Sequence, residues 1–300
     1  MIECVPNFSE GRRKDVIEEI CKASRVKGAE LLDVHSDSDH NRSVLTIVGN
    51  VEAIGESALS TCAKAVELID MRKHNGVHPR IGAVDVVPFV PLGNASMEDC
   101  VNIADKFAKT FAERFSIPVY LYGEAARSPE RKSLPNIRKG QFEALRDVIG
   151  TDKAREPDYG PKKINPTAGA TSVGARRILI AYNVDLDTDK IEIARKIAKR
   201  IRESDGGLQG VQALGLKLEN RGVVQISTNL TNYKRTSIFD VYEAIVGEAI
   251  ESRVDVLDSE IVGMVPRDAL PSAELGNLML KNFSQEKIIE NRIEHLEDLN

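Results

Sequence analysis

A chain of 300 residues is longer than one hydrophobic core usually grows, so two packed units are expected. Its 42% hydrophobic and 29% charged residues belong to an ordinary globular protein rather than a disordered one, and no apolar run reaches the roughly eighteen residues of a membrane helix. The net charge of −5 and the pI near 5.7 argue against a general nucleic-acid surface, yet leave room for a local basic pocket that takes a small anion.

In chain order, Met1 to Pro6 reads as a strand, Arg12 to Arg25 as a helix, and Ala29 to His35 and Ser43 to Val48 as strands. A helix over 51–71 follows from Val51, Ile54, Ala58, Leu59, Cys62, Ala65, Val66 and Ile69 at three- and four-residue steps, and Ala83 to Val90 is a strand. That βαββαβ order is the split pattern of ferredoxin-like units. A helix from Met97 to Arg114 and a strand from Val119 to Tyr122 extend it. Residues 126 to 173 lose periodicity and gather Pro129, Pro135, Pro157, Pro161 and Pro166, so a long connection with one short helix near Phe142 to Ile149 is expected. Beyond it, Arg176 to Val184, Thr188 to Glu203, Val211 to Leu218, Val223 to Asn229, Ile238 to Glu251 and Ile261 to Val265 give strand, helix, strand, strand, helix, strand. The six-element order thus occurs twice, although no residue-level repeat is visible. The expected fold is α+β, with ferredoxin-like subdomains over 1–173 and 174–300 flanking a ligand cleft or tunnel that the proline-rich connection crosses. Ser284 to Asn300 reads as a charged amphipathic helix, with Ile288, Ile289, Ile293 and Leu296 on one side.

Cys4, Cys21, Cys62 and Cys100 are far apart, form no CxxC pair and follow no secretory leader, which points to packing thiols in a reduced, cytoplasmic setting. The chemistry concentrates instead between the helix ending near Met71 and the strand beginning at Ala83. There, His74-Asn75-Gly76-Val77-His78-Pro79-Arg80-Ile81-Gly82 places two of the five histidines beside an arginine. Gly76 and Gly82 permit unusual backbone angles, and Pro79 pushes His78 toward an extended conformation, so the helix cannot continue and His78 sits on a stiff loop. His74 and His78 have zinc-protease spacing, but Asn75 stands where that motif needs Glu, and Pro79 is incompatible with its helix. His35 and His40 lie in the run His35-Ser36-Asp37-Ser38-Asp39-His40, which reads either as a solvated hairpin loop or as half of a His/carboxylate metal cluster. No GxSxG elbow is present, and the glycine clusters at 169–174 and 206–210 lead into strands rather than into the helix N-terminus a phosphate loop needs.

General acid/base chemistry remains. An imidazole titrates near pH 6.5 and so both accepts and returns a proton at neutral pH. Arg80 either keeps the imidazole of His78 neutral or grips a carboxylate with its planar fork. The competing reading makes His78 a structural residue whose ring satisfies a loop carbonyl.

Glu3-Cys4-Val5-Pro6-Asn7-Phe8-Ser9-Glu10-Gly11, HNGVHPRIGAVDVVPFVP (74 to 91), VYLYGEAAR (119 to 127) and DYGP (158 to 161) together resemble the glutamate formimidoyltransferase family. The resemblance runs from Ile2 to the strand at Ile261 to Val265. It implies transfer of a formimidoyl group between N-formimidoyl-L-glutamate and tetrahydrofolate, in histidine breakdown and one-carbon metabolism. It also implies a catalytic histidine at His78, and a folate-contacting segment at Gly160-Pro161-Lys162-Lys163-Ile164-Asn165-Pro166-Thr167-Ala168-Gly169. Two ferredoxin-like subdomains around a tunnel, a homodimer and tetrahydrofolate as co-substrate without a metal complete the implication.

Two departures stand out. The chain has no room for the cyclodeaminase domain of the animal members, so that activity would belong to a separate protein. Lys162 and Lys163 are more basic than the animal pattern, which suits a polyglutamate tail or a modified pterin carrier.

The anionic tails of both substrates call for cations, and Arg42, Arg80, Lys162, Lys163 and Arg176 are placed to supply them. Asn7 and Asp85 are expected to orient the imidazole, bind substrate or serve the fold. Phe8, Tyr120, Tyr122 and Tyr159 are candidates to stack on the pterin, Tyr159 foremost because it adjoins the folate segment. Three rivals remain: transfer of a formyl group from N-formylglutamate, a non-enzymatic folate-binding module, and a metal hydrolase.

Overall fold

Side-chain caps start the three long helices whose periodicity the sequence displays. Asn50 accepts hydrogen bonds from the backbone N–H groups of Glu52 (3.1 Å) and Ala53 (2.8 Å) and so begins α2 (Val51–Leu68). Ser96 with Asp99, and Ser237 with Asp240, close reciprocal capping boxes ahead of α3 (Met97–Phe115) and α7 (Ile238–Glu251). The computed structural model describes residues 1–270 and 275–297, and the chain divides into two units, Met1–Arg177 and Ile178–Asn300.

In the first unit, β1 (Ile2–Cys4) and β2 (Asn7–Phe8) are two pieces of one line broken at Val5-Pro6, and both lie between β4 (Arg42–Gly49) and β5 (Val84–Pro91). Outside β4 runs β3 (Ala29–Asp37), antiparallel to it. On the other side β7 (Thr171–Ala175) pairs parallel with β5, and β6 (Val119–Gly123) pairs parallel with β7. Helix α2 packs against β1, β4 and β5, α3 against β5, β6 and β7, and α1 (Lys14–Ala23) against α2. Their apolar faces enclose one core containing Ile2, Phe8, Ile47, Ile54, Phe89, Phe107 and Phe111.

Strand β7 corrects the reading of 126–173 as a connection, and the expected boundary at 173/174 falls inside it. Thr171, Ser172, Val173, Gly174 and Ala175 are buried on both faces, so the strand carries no in-out alternation to read. The connection also holds two helices, α4 (Leu134–Arg138) and α5 (Gln141–Val148), the second where a short helix was expected.

The second unit contains β8 (Ile180–Leu186), α6 (Ile191–Ile201), β9 (Val211–Leu218), β10 (Val223–Leu230), α7 and β11 (Val256–Val262), with an antiparallel sheet in the order β11-β8-β10-β9. Ile180, Tyr182, Val184 and Leu186 face Ile197, Ile201 and Ile245 of the helices. β11 begins earlier than the expected Ile261, because a bulge between Val256 and Asp258 and the polar Asp258, Ser259 and Glu260 interrupt its apolar pattern. The C-terminal helix α8 (Ile289–Glu297) starts later than Ser284, and residues 298–300 of the expected helix lie outside the described residues. Both units are mixed α+β, each built on its own sheet. The four cysteines are free thiols, three of them buried. No described helix is long and apolar enough to cross a membrane.

Candidate active site

Three short segments of the first unit converge. The β3–β4 turn ends on Asn41, whose φ of +48° is the left-handed conformation that asparagine tolerates better than most residues. Its side chain accepts from the Gly11 N–H (2.9 Å) and donates to the Asn75 carbonyl (2.9 Å), tying the turn to the N-terminal segment and to the histidine loop. Ser9 binds the loop from its other end, through Oγ to the Gly82 carbonyl (2.7 Å) and its N–H to the Ala83 carbonyl (2.9 Å). Gly76 and Gly82 do not use left-handed angles, which corrects the sequence reading; a Cβ would lie 2.3 Å from the His40 carbonyl oxygen at Gly76 and 2.1 Å from that of Ala170 at Gly82. Close backbone approach is the reason for both glycines.

His78, His74, Arg80, Asp85, Arg42, His40 and Asn41 line a recess of about 180 Å³, together with Phe8 and Ser9. His78 is half-buried, and its Nε2 lies 3.0 Å from Nη1 of Arg42. A guanidinium has only donors, so Nε2 accepts and the ring proton sits on Nδ1. The ring is therefore neutral with its lone pair turned to Arg42. Burial holds its pKa well below the ordinary histidine value, and the charges of Arg42 and then Arg138 push the same way. The ring of His40, itself buried, stacks on that of His78 with centroids 5.8 Å apart.

Asn7 and Asp85 bear on this ring through arginines. Asn7 donates to the Val5 carbonyl (3.0 Å) and accepts from Arg42 Nη1 (3.2 Å), so it positions Arg42. Asp85 accepts from the Ile81 N–H (2.8 Å) and pairs with Arg138 of α4, which fixes the loop exit and a second cation together. Arg80 does not supply the cation at His78. Its fork grips Glu143 at 2.6 and 2.8 Å, and its Nε donates to His74 Nδ1 (3.1 Å).

The segment from Gly160 to Gly169 touches the loop at one end only. Asn165 Oδ1 accepts from the N–H groups of Thr167 and Ala168, and the carbonyls of Thr167 and Ala168 take the N–H groups of Met71 and Ala83. Gly160 and Pro161 are exposed, as are Lys162, paired with Glu156, and Lys163; Pro166 is exposed and Ile164 buried, and none of the ten lines the recess. Arg176 lies at Glu3 and Tyr122, away from His78. Tyr120 and Tyr122 are buried rather than presented on an open face. One face of Tyr159 is covered by Arg127, whose guanidinium carbon is 4.5 Å from the ring centroid, and its hydroxyl donates to Asp105.

Sequence reasoning missed Arg138 at the site and the partnership of His74 with Asn41, and it weighed His40 only as a solvated or metal-binding residue, not as a ring stacked on His78. The run Ser36 to His40 reads as solvated because it is acidic, yet Asp39 and His40 are buried. Among the described residues, no three His, Cys, Asp or Glu side chains converge as metal ligands.

Residues 1–176 match the formiminotransferase domain, N-terminal subdomain, and residues 181–296 match the formiminotransferase domain. The chain belongs to the formiminotransferase family. Among formiminotransferase relatives it is 44% identical to a glutamate formimidoyltransferase of Streptococcus pyogenes serotype M1, over 98% of both chains. It is 45% identical to one of Thermoplasma acidophilum over 98% of this chain and 97% of that one. The formimidoyltransferase-cyclodeaminase of Rattus norvegicus is 46% identical over 91% of this chain and 51% of its own length.

Proposed function

We propose that this protein transfers a formimidoyl group between N-formimidoyl-L-glutamate and tetrahydrofolate, giving 5-formimidoyltetrahydrofolate and L-glutamate. The observation that carries the reading is a neutral imidazole, His78, with its lone pair on Nε2 at a cation-lined recess, in a chain matched end to end by two glutamate formimidoyltransferases. N5 of the pterin attacks the formimidoyl carbon and its proton passes to Nε2 of His78. The tetrahedral intermediate then collapses, the C–N bond to glutamate breaks, and the same proton returns to the departing nitrogen.

Arg42 has two parts in this sequence. In the free protein its Nη1 occupies the lone pair of His78, and a carboxylate of the donor draws the fork away, since charged acceptors bind guanidinium more strongly than neutral imidazole does. The base is then uncovered only beside substrate. Arg138, held by Asp85, keeps the ring from taking a proton out of solvent. The segment Gly160 to Gly169 contacts the folate, Lys162 and Lys163 meeting its glutamate tail at the exposed end.

The ferredoxin-like reading is supported by the order β11-β8-β10-β9 around two helices in the second unit, and by the same order of elements in β1 to β5 of the first. Four free cysteines support a reducing, cytoplasmic setting, and a homodimer is the assembly to test by light scattering.

Purified protein incubated with tetrahydrofolate is expected to consume N-formimidoylglutamate and not N-formylglutamate, the donor one atom different. His78→Ala is expected to lower kcat by about 10²–10⁴-fold while folate affinity stays within a few fold. Turnover of the formyl donor alone would replace the substrate assignment, and full activity without His78 would remove the base.

A further inference from the structure

His40 and Arg42 both touch His78, and only Asn41 separates them. The placement of both therefore depends on the backbone of that one left-handed residue. Its carbonyl is 3.0 Å from Nε2 of His74. Because His74 Nδ1 accepts from Arg80 Nε, the ring proton must be on Nε2, and His74 donates it to the Asn41 carbonyl. Arg80 is buried, and beyond it stands α5: Glu143 takes both ends of its fork, Gln141 Oε1 accepts from Nη1 (3.0 Å), and the Phe142 N–H donates to the Arg80 carbonyl (3.0 Å). Gln141 holds a φ of +59°, a conformation that such side chains seldom adopt, and these contacts keep it there. The Glu143 side chain is 56% exposed, so an ion pair serving stability alone would contribute little; its partner, however, leads inward through directed bonds.

We infer that Glu143 is a positioning residue for the transfer, acting through Arg80 and His74 on the peptide that carries His40 and Arg42. The inference rests on the assignment of His78 as the proton carrier. Glu143 touches no substrate; it sets the tautomer and angle of His74, and His74 sets the distance between Arg42 and His78.

The experiment measures kcat and KM for both substrates in Glu143→Ala, His74→Leu, His74→Gln and the Glu143→Ala/His74→Leu double variant, each assayed well below its melting temperature. Glu143→Ala is expected to lose about ten- to a hundredfold in kcat, the scale of a small misplacement at the reacting atoms. Both KM values are expected to stay within about threefold, as for an interaction felt at the transition state. His74→Leu should lose at least as much, and His74→Gln, whose amide N–H can replace Nε2–H, should recover most of it. Elements of one chain do not add, so the double variant should be no slower than His74→Leu. An unchanged kcat in Glu143→Ala, or losses that multiply in the double variant, would overturn the inference. If His74→Leu does not fold, Glu143→Ala and His74→Gln decide it by themselves. A fully active His78→Ala would instead defeat the underlying site assignment.

Discussion

Both units pass through the same six elements, and they differ most in the interval before the last strand of the pattern. In the first unit residues 69–83 separate α2 from β5 and carry His74, His78 and Arg80; in the second only residues 252–255 separate α7 from β11. The order of elements is shared, and the proposed chemistry sits in the longer of the two intervals. Their buried charges differ as well. In the second unit Asp185 accepts from Arg221, Gln225 and Lys281, while Glu260 accepts from Asn183, so each charge meets an opposite or a donor. In the first, two guanidinium groups bear on a neutral ring, and the carboxyl of Glu3 is buried. Burial raises Glu3 to about 7 against the opposing pull of Arg176. Opposite charges in the second unit tie strands of a sheet together, whereas the like charges at the ring of His78 keep the proposed proton carrier neutral.

The strongest way to break this contrast is to remove the cation at the ring. Arg42→Gln is expected to lower kcat/KM by about 10²-fold, as the loss of a charged contact to substrate does. It should also move the acid limb of the pH–rate profile. With His78 in its proposed role of neutral base, the limb is expected below the ordinary histidine value in the native protein. Without the guanidinium it should rise toward about 6.5 but remain lower, because burial is the larger cause. A limb that does not move would sink the electrostatic account.

Asp185→Asn tests the balanced half. Burial raises this carboxyl, but Gln225, Lys281 and Arg221 outweigh it and hold it below its ordinary value, so its stabilisation is present at neutral pH and lost as pH falls through the lowered pKa. The variant should lose about 3 kcal/mol at pH 7 by chemical denaturation, with kcat of the folded protein unchanged. A drop in kcat without loss of stability would place the network in catalysis.

Glu3→Gln should act in the opposite sense. A carboxyl raised in the folded state destabilises above its folded pKa, so the variant is expected to gain up to about 3 kcal/mol at pH 8 and nothing near pH 4.5. Equal melting temperatures of variant and parent at pH 8 would remove Glu3 from the unbalanced set.

Much of the fold is legible where local chemistry and burial agree. Val51 to Leu68 shows a helical stripe, and Ile180 to Leu186 alternates into one core, so both are visible before any contact is known. β7 escapes because small residues buried on both faces leave no period. The histidine loop is legible from its breakers and its residue types. Its electrostatics are not: Arg80 and Glu143 are 63 positions apart, and only the folded chain reveals that the arginine nearest His78 in sequence serves His74 instead. His40 is hidden for a related reason, since acidic neighbours give no sign that a ring is stacked and dry.

Where Gly82 crosses Gly169, the main chains meet with no side chain between them, and Ala170 donates its N–H to Ile81 (3.0 Å). Such a seam has nothing compressible in it. Even a methyl group at either glycine would therefore pry the two stretches of chain apart, and with them the exit of the histidine loop.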